Sequence, residues 1–562
     1  MKVTLLALGS RYIHLSPAPF YLASALLDRE HAVTVLDHSV NEKTEIVLED
    51  ILKSAPDILG FSVYIWNLTY LKKLIPTVKE KLPSVRIVLG GPEVSYNVKE
   101  TLDRFPEAEA VLSGEGEMPF RAYCDAVANG QVLSTVPGCS YRTPNGIFVG
   151  EPYLGEGTPR SPLDSGYREA LKGRIAYIEA SRGCPFSCAF CLSGRCGSVR
   201  FFDLEQVKRD ILLLSAESRT VKFVDRTFNA DKRRAREIIS FILAHSGREI
   251  PEDTCFHFEI AGELLDEETL KLLADAPRGL FQTEIGLQSF YQPTLAAIRR
   301  SANTDQLCKN VRSLLKNGNV HVHIDLIAGL PYEDLSAFKK SFDCAYALAP
   351  HMLQLGFLKL LHGAPLREET KKFKCCFTAE PPYEVLSTDC LSQEDRALLH
   401  VVELGCDRVY NSGRYRRTLA LWREKTNGTA SAFQLFHTLG ICLSALPRGY
   451  TVNDEITALY HAFLQMGIDG DVLRDAMLLD FVATNSSRLV PTALRREDPS
   501  YGRIKKMLEE RYPLPKGIRR AVVRLSVERR IAFADYTAKD RVTGEYPLTE
   551  MELSVFESAL PL

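Results

Sequence analysis

The stretch Ser181-Arg182-Gly183-Cys184-Pro185-Phe186-Ser187-Cys188-Ala189-Phe190-Cys191 decides how the rest of the chain is read. Its three cysteines stand at i, i+4 and i+7, with an aromatic residue directly before the last. A loop with that spacing can curl so that three thiolates converge on three corners of a cubic iron–sulfur cluster. A cubane takes four cysteines as its full protein set, so three leave one iron open. Three cysteines in eight residues also fit buried structural thiols, which pack as small hydrophobes. They fit zinc less well, because zinc sites pair cysteines as CxxC with a distant second pair. Cys196, five residues on, offers a fourth thiol, and a closed four-cysteine cluster would only transfer electrons.

The chain around this loop has 562 residues, enough for three or four domains. Hydrophobic residues make up 45% and charged residues 25%, an ordinary balance for a soluble globular protein with ample core. A net charge of −2 and a pI of about 6.7 provide no general basic field to draw the molecule to nucleic acid. Fourteen cysteines raise the question of disulfides, but the opening Met1-Lys2-Val3-Thr4-Leu5 has no signal-peptide pattern. No apolar run is long enough to span a bilayer, so a reduced cytoplasm is the expected compartment.

Residues 1–130 alternate short apolar strands with helices. Strands are expected at Val3–Leu8, Val33–Leu36, Ile58–Phe61, Ile87–Leu89 and Ala110–Leu112. Five strands with crossover helices predict an α/β domain with a doubly wound parallel sheet, whose ligands bind beyond the carboxyl ends of the strands. Those ends carry Ser62, then Gly90-Gly91-Pro92-Glu93, then Ser113-Gly114-Glu115-Gly116-Glu117. Glycine pairs there either admit a bulky ligand against the backbone or make tight turns. Residues 131–170 are rich in Gly, Pro, Ser and Thr and read as a hairpin-containing linker.

A second alternation fills residues 171–370, with strands expected at Ile175–Glu179, Val221–Val224, Cys255–Ile260, Phe281–Leu287, Val320–Leu326 and Met352–Leu358. Six βα repeats fit a partial (β/α)6 barrel, and the cysteine loop follows its first strand, where barrel sites form. Polar residues mark later strands: Asp225 and Arg226, Glu259, Glu284 to Ser289, and His323 to Gly329. Glu259, Glu284 and Asp325 also fit a buried ion-pair layer inside the barrel. Residues 371–562 read as a mainly helical domain of unknown role, ending in a hairpin around Lys539–Gly544. Cys375-Cys376 fit inert thiols, and the basic run from Arg503 to Arg530, with Arg519 and Arg520, fits a solvated face.

The loop Cys184, Cys188, Phe190, Cys191 resembles the CxxxCxΦC signature of the radical S-adenosylmethionine (SAM) enzymes. The preceding domain resembles the cobalamin (B12)-binding domain of one large branch of that family, a branch that also carries an uncharacterised C-terminal domain. The resemblance implies a [4Fe-4S] cluster on Cys184, Cys188 and Cys191, with SAM chelating the open iron and yielding a 5′-deoxyadenosyl radical. It implies SAM contacts at Phe190, Glu259, Glu284, Gln288 and Gly329, and cobalamin contacts at Ser62, Gly90, Gly91, Gly114 and Glu115. The older cobalamin pattern DxHxxG is absent from the loop Gly9–Pro17, so base-off binding without a lower histidine is expected and His14 is not assigned to cobalt. The implied reaction is methyl transfer from methylcobalamin to an unactivated carbon of a small-molecule or peptide substrate. A reducing partner such as flavodoxin or ferredoxin is implied too. A radical rearrangement or cyclisation on the same cofactors is the second enzymatic reading, and a closed-cluster electron carrier the reading of another class.

Overall fold

The computed structural model describes residues 1–195, 198–300, 303–486, 489–496, 501–513, 521–534 and 536–557; Cys196, Arg519 and Arg520 lie outside them. The first sheet is built from β1 (Lys2–Gly9), β2 (Ala32–Ser39), β3 (Ile58–Ser62), β4 (Arg86–Gly90) and β5 (Ala108–Leu112). These pair in parallel in the order β2-β1-β3-β4-β5, so the chain reverses direction of growth between β1 and β3. β1 is buried from Val3 to Gly9, as a strand covered by helices on both faces must be. Within 131–170, read from sequence as a linker, β6 (Cys139–Thr143) and β7 (Gly146–Phe148) form a hairpin that extends the sheet antiparallel beyond β5.

The second sheet contains β8 (Ala176–Ile178), β11 (Thr220–Phe223), β12 (Cys255–Ile260), β13 (Phe281–Gln288), β14 (His321–Ala328) and β15 (Met352–Phe357), all parallel and in chain order. Between β8 and β11 lie two short strands, β9 (Ser181–Arg182) and β10 (Arg200–Phe201), which pair antiparallel with each other. This is the open six-stranded barrel expected from the βα repeats. The helices that follow its strands are capped by Asp203, Asp231, Asp266, Asn303 and Asp334, each accepting from a backbone N–H of the first turn. Alternation along the strands sends Phe223, Phe256, Phe258 and Phe281 outward into the helix-facing core. The opposite face carries the charged residues. Lys222 lies beside Tyr177 and His257, Glu259 beside Glu284, Glu284 beside His323, and Asp325 beside Gln354.

The C-terminal third is mainly helical, with a three-stranded antiparallel sheet at Val522–Arg524, Arg530–Ala534 and Leu548–Glu552. The loop of the expected hairpin closes the lower end of the barrel. Arg541 donates to the carbonyls of Glu252, Thr254 and Gly279, and Arg278 pairs with Asp540. None of the described helices is long and apolar enough to cross a membrane.

Helices Gln393–Gly405 and Ala432–Ser444 cross at backbone contact. A Cβ on Gly440 would lie 2.0 Å from the Val401 carbonyl oxygen, and one on Gly405 would lie 2.1 Å from that of Phe436. Gly440→Val must push the helices apart, and overpacking of this kind costs about 1–3 kcal/mol. A clearly lowered Tm of the full chain is expected, and an unchanged Tm would mean that the helices tolerate a wider crossing.

Candidate functional site

The cysteine loop runs from the end of β9 to the start of β10, so a two-residue antiparallel clasp closes its base. Gly183 has φ +95°, and a Cβ there would meet the Ser198 carbonyl oxygen at 2.9 Å, so glycine is required. Inside the loop the Cys191 N–H donates to the Cys188 carbonyl at 3.1 Å. Fully buried Ala189 is pinned from both sides, its N–H donating to Ile298 and its carbonyl accepting from Leu366, both at 2.8 Å.

Each expected ligand has a polar group nearby. Thr227 Oγ1 lies 3.4 Å from Cys184 Sγ, the Ser193 N–H 3.4 Å from Cys191 Sγ, and the Arg300 guanidinium 3.8 Å from Cys188 Sγ. Burial pushes the Cys188 thiol upward, Arg300 opposes it, and the neighbouring thiols Cys191 and Cys184 add to the rise. Three thiols that close, ringed by polar groups and a cation, fit an iron–sulfur cluster, whose sulfurs are tuned by hydrogen bonding. Arg300 also donates to the Gly286 carbonyl at 2.5 Å, which ties Cys188 to β13.

Phe190 packs with the buried cluster of Leu295, Ile298 and Leu330. Gln288 sits at a β-bulge with φ +72°, and its amide oxygen is buried without a partner. A Cβ on Gly286 would lie 2.3 Å from that amide's nitrogen, so the glycine makes room for it. Gly329 has φ +85° at the exit of β14. Below them the inward charges form one network. Glu259 lies 3.7 Å from Arg226, while Glu284 Oε2 meets His257 at 3.2 Å and Lys222 at 3.5 Å. Burial raises the Glu259 carboxyl against the pull of Arg226. Burial would raise Glu284 too, but His257, Lys222 and His323 hold it down at about 2. Glu284 therefore faces its strand neighbours, and Gln288 and Gly329 lie nearer the cysteine loop along their strands.

At the carboxyl end of the first sheet, Ser62 and Gly90 are half-buried. The glycines beside them answer to the chain itself. A Cβ on Gly91 would lie 2.6 Å from the Val63 carbonyl oxygen, and one on Gly114 would lie 2.1 Å from that of Tyr153. Glu115 points away from the sheet and pairs with Arg182 at 2.6 Å and Arg200 at 2.5 Å. Two features fit a large planar ligand at this end: the Ser113 hydroxyl is buried without a partner, and Tyr64 and Trp66 stack at 4.3 Å. Trp66 stays 45% exposed while its indole N–H donates to the Leu8 carbonyl, so the pair stands over the β1–β3 switch point. His14 Nδ1 lies 2.6 Å from the Tyr177 hydroxyl, across to the barrel.

Arg182, Arg300 and the Tyr64–Trp66 pair carry the site without having been singled out in sequence. The available signal for Arg182 was its position, one residue before the cysteine loop, in a chain with Glu115, Glu117 and Glu179 at strand ends. All three carboxylates converge on it, at 2.6, 2.6 and 2.7 Å, and the rings of Tyr21 and Phe202 flank it.

The family profile described as the radical SAM superfamily matches residues 178–345, the B12 binding domain profile matches 4–123, and a profile described as a protein of unknown function (DUF4080) matches 371–535. In chain order these are a B12-binding domain, a radical SAM domain and a domain of unknown function. It is 28% identical over 334 residues to the 2-(S-pantetheinyl)-carbapenam-3-carboxylate methyltransferase of Streptantibioticus cattleyicolor, covering 56% of this chain and 49% of that protein. It is 27% identical over 340 residues to the cobalamin-dependent radical SAM methyltransferase TokK of Streptomyces tokunonensis, with the same 56% and 49% coverage. The chain thus spans about half the length of these two curated relatives. The solved structure of the cobalamin-dependent SAM radical enzyme OxsB with aqua-cobalamin and SAM bound shares the fold, at a TM-score of 0.60 and 17% identity, over 85% of this chain and 78% of that one.

Replacing Arg182 by methionine leaves Glu117 and Glu179 without their cation and Glu115 with Arg200 alone. Removing one partner from a buried ionic network costs about 3–5 kcal/mol. Because the carboxylates come from both domains, Arg182→Met is expected to expose the linker around residue 155 to limited proteolysis and to lower the iron retained after reconstitution. Arg182→Lys should restore part of both. Wild-type digestion and iron content in Arg182→Met would remove Arg182 from the domain junction.

Proposed function

We propose that the protein is a methyltransferase that acts on an unactivated carbon of a small molecule, using a [4Fe-4S] cluster, SAM and cobalamin. When bound, the cluster supplies the electron that cleaves SAM, and cobalamin supplies the methyl group. The observation that carries this reading is the placement of the cysteine loop. It stands between the carboxyl end of the first sheet and the charged interior of the barrel, with Arg182 fixing one side to the other.

In this reading Cys184, Cys188 and Cys191 hold the cluster, and Thr227, Arg300 and the Ser193 N–H stabilise their sulfurs. Gln288 and Gly329, at the exits of β13 and β14, with Phe190 and Glu259, bind SAM. Glu284 orders the Lys222 and His257 side chains beneath it. Ser62 and Gly90 border the cobalamin face, Gly91 and Gly114 shape the turns beside them against Val63 and Tyr153, and Glu115 anchors the domain through Arg182. The substrate is held between the two cofactors, so proximity supplies much of the catalysis. A flavodoxin or ferredoxin delivers the electron.

The test needs no substrate. Anaerobically reconstituted protein is incubated with reductant and SAM labelled in its methyl group. About four irons per chain are expected, as a cubane requires, together with release of 5′-deoxyadenosine and recovery of label in the cobalamin fraction. Alanine at Cys184, Cys188 and Cys191 should abolish the first two. Nucleoside release with no label in cobalamin would replace methyl transfer by a rearrangement. Iron without any SAM cleavage would leave an electron carrier.

A further inference from the structure

One cation beside the cysteine loop is left uncommitted by the rest of the chain. On the reading above, which holds the substrate between the two cofactors, we propose that Arg226 binds an oxyanion of that substrate. The substrate is then a small molecule that carries a carboxylate or phosphate group.

Arg226 stands three residues past the end of β11, in a segment fixed on both sides of it. The Asp225 side chain accepts from the Ala180 N–H at 2.9 Å and the Ser181 hydroxyl at 2.5 Å, at the base of the cysteine loop. The Thr227 hydroxyl donates to the Arg226 carbonyl at 2.8 Å and lies 3.4 Å from Cys184 Sγ. The Asn229 side chain bonds both the N–H and the carbonyl of Ala261 at 2.9 Å. Neighbours thus hold the backbone, and the Arg226 side chain takes no part in holding it.

That side chain is untied. Among the described residues its guanidinium donates no hydrogen bond, and its ion pair with Glu259 spans 3.7 Å, beyond hydrogen-bond range. Other arginines around the loop are committed. Arg182 holds three carboxylates, Arg200 holds Glu115, and Arg234 and Arg300 donate to the carbonyls of Phe202 and Gly286. The Arg226 side chain is also 57% exposed, against 29% for Lys222 and 25% or less for Glu259, Glu284, His323 and Asp325. The walls around it disfavour its charge, but Glu259, Cys191, Glu284 and Cys184 keep it a cation. Tyr64 of the first domain lies within range of the same charge. The free guanidinium therefore faces the space bounded by the cysteine loop, the inner carboxylates and the Tyr64–Trp66 pair.

A guanidinium presents a planar fork of N–H donors that grips a carboxylate or phosphate with two parallel hydrogen bonds. A fork on a fixed backbone loses little freedom when the anion arrives, which favours binding. SAM carries a carboxylate as well, and the test separates that source from the substrate.

Inorganic phosphate is the probe, followed by the width of its phosphorus NMR resonance. Reconstituted holoprotein is kept with its cluster oxidised and SAM saturating, so nothing is cleaved and only binding is read. The wild type is expected to broaden the line saturably. Arg226→Gln and Arg226→Met are each expected to weaken this binding about tenfold or more, with iron content and SAM binding by equilibrium dialysis unchanged. No saturable broadening in the wild type overturns the proposal, as does phosphate binding undiminished in both variants. Weakened SAM binding in either variant assigns the residue to the carboxylate of SAM and overturns it too. Should one variant lose its iron, the other gives the reading, and the wild-type titration stands by itself. The titration involves no methyl transfer and no SAM cleavage, so its failure is distinguishable from failure of the proposed reaction.

Discussion

The arrangement depends on one buried guanidinium. Arg182 is 18% exposed and takes carboxylates from both domains, Glu115 and Glu117 from the first and Glu179 from the barrel. A cation so placed loses hydration that neither domain repays by itself; with the two domains apart, it would keep one carboxylate of three. Docking is therefore where its desolvation is offset, and Arg200 on Glu115 adds a second cation at the same seam. Because Gly183 and Cys184 follow directly, the same contact sets the direction in which the cysteine loop leaves the clasp. Burial would push the Glu115 carboxyl upward, but Arg200 and Arg182 hold it below its usual range, so the seam stays ionised at neutral pH.

The barrel tolerates a charged interior because its cohesion lies outside. Phe223, Phe228 and Phe258 contact one another with centroids 4.1–5.2 Å apart, and Phe281 joins them in the layer between strands and helices. The inward face is thereby released from packing duty. It holds paired charges, each within reach of an opposite one: Lys222 with Glu284, Arg226 with Glu259, His323 with Asp325. The ion-pair layer that the sequence permitted for Glu259, Glu284 and Asp325 is thus present, and it coexists with the orphaned atoms of Gln288 and His257. Those atoms separate a ligand-facing interior from a purely structural one.

Much of this was legible in sequence, and what was not shares one cause. The cysteine loop is local: spacing, aromatic and glycine all lie within eleven residues. The strands were legible because parallel strands buried on both faces read as apolar runs, and the βα alternation dictated their order. The role of Glu115 was not legible, because its partner Arg182 lies 67 residues away. Gly91 and Gly114 looked like ligand cradles, yet the atoms a side chain would strike belong to Val63 and Tyr153. The glycine signal reports close approach and is silent on what approaches. Residues 139–148 read as part of a linker since a short hairpin with polar turns looks the same whether it stands free or extends a sheet. Tyr64 and Trp66 were passed over because a stacked pair leaves no periodicity.

An open barrel leaves two free strand edges, which need cover against pairing with other chains. Beside β8 the cover comes from the first domain, where His14 bridges to Ile175 and Arg174 pairs with Asp37 at 2.6 Å. On β15 it comes from the C-terminal region. The Asn411 side chain accepts from the Leu353 N–H at 2.8 Å and donates to the Leu353 carbonyl at 2.9 Å, taking the place of a neighbouring strand. An amide side chain caps one residue and offers nothing for a seventh strand to continue. Above it, His400 stacks on Phe357 at 3.8 Å and contacts Glu384, so the helix Gln393–Gly405 borders the gap at its carboxyl end. The gap between β15 and β8 is therefore flanked by the two added domains, with the barrel floor closed by Arg541. What reaches the charged interior is decided by residues outside the barrel, and for that reason a family signature confined to the barrel and the first domain leaves the substrate unspecified.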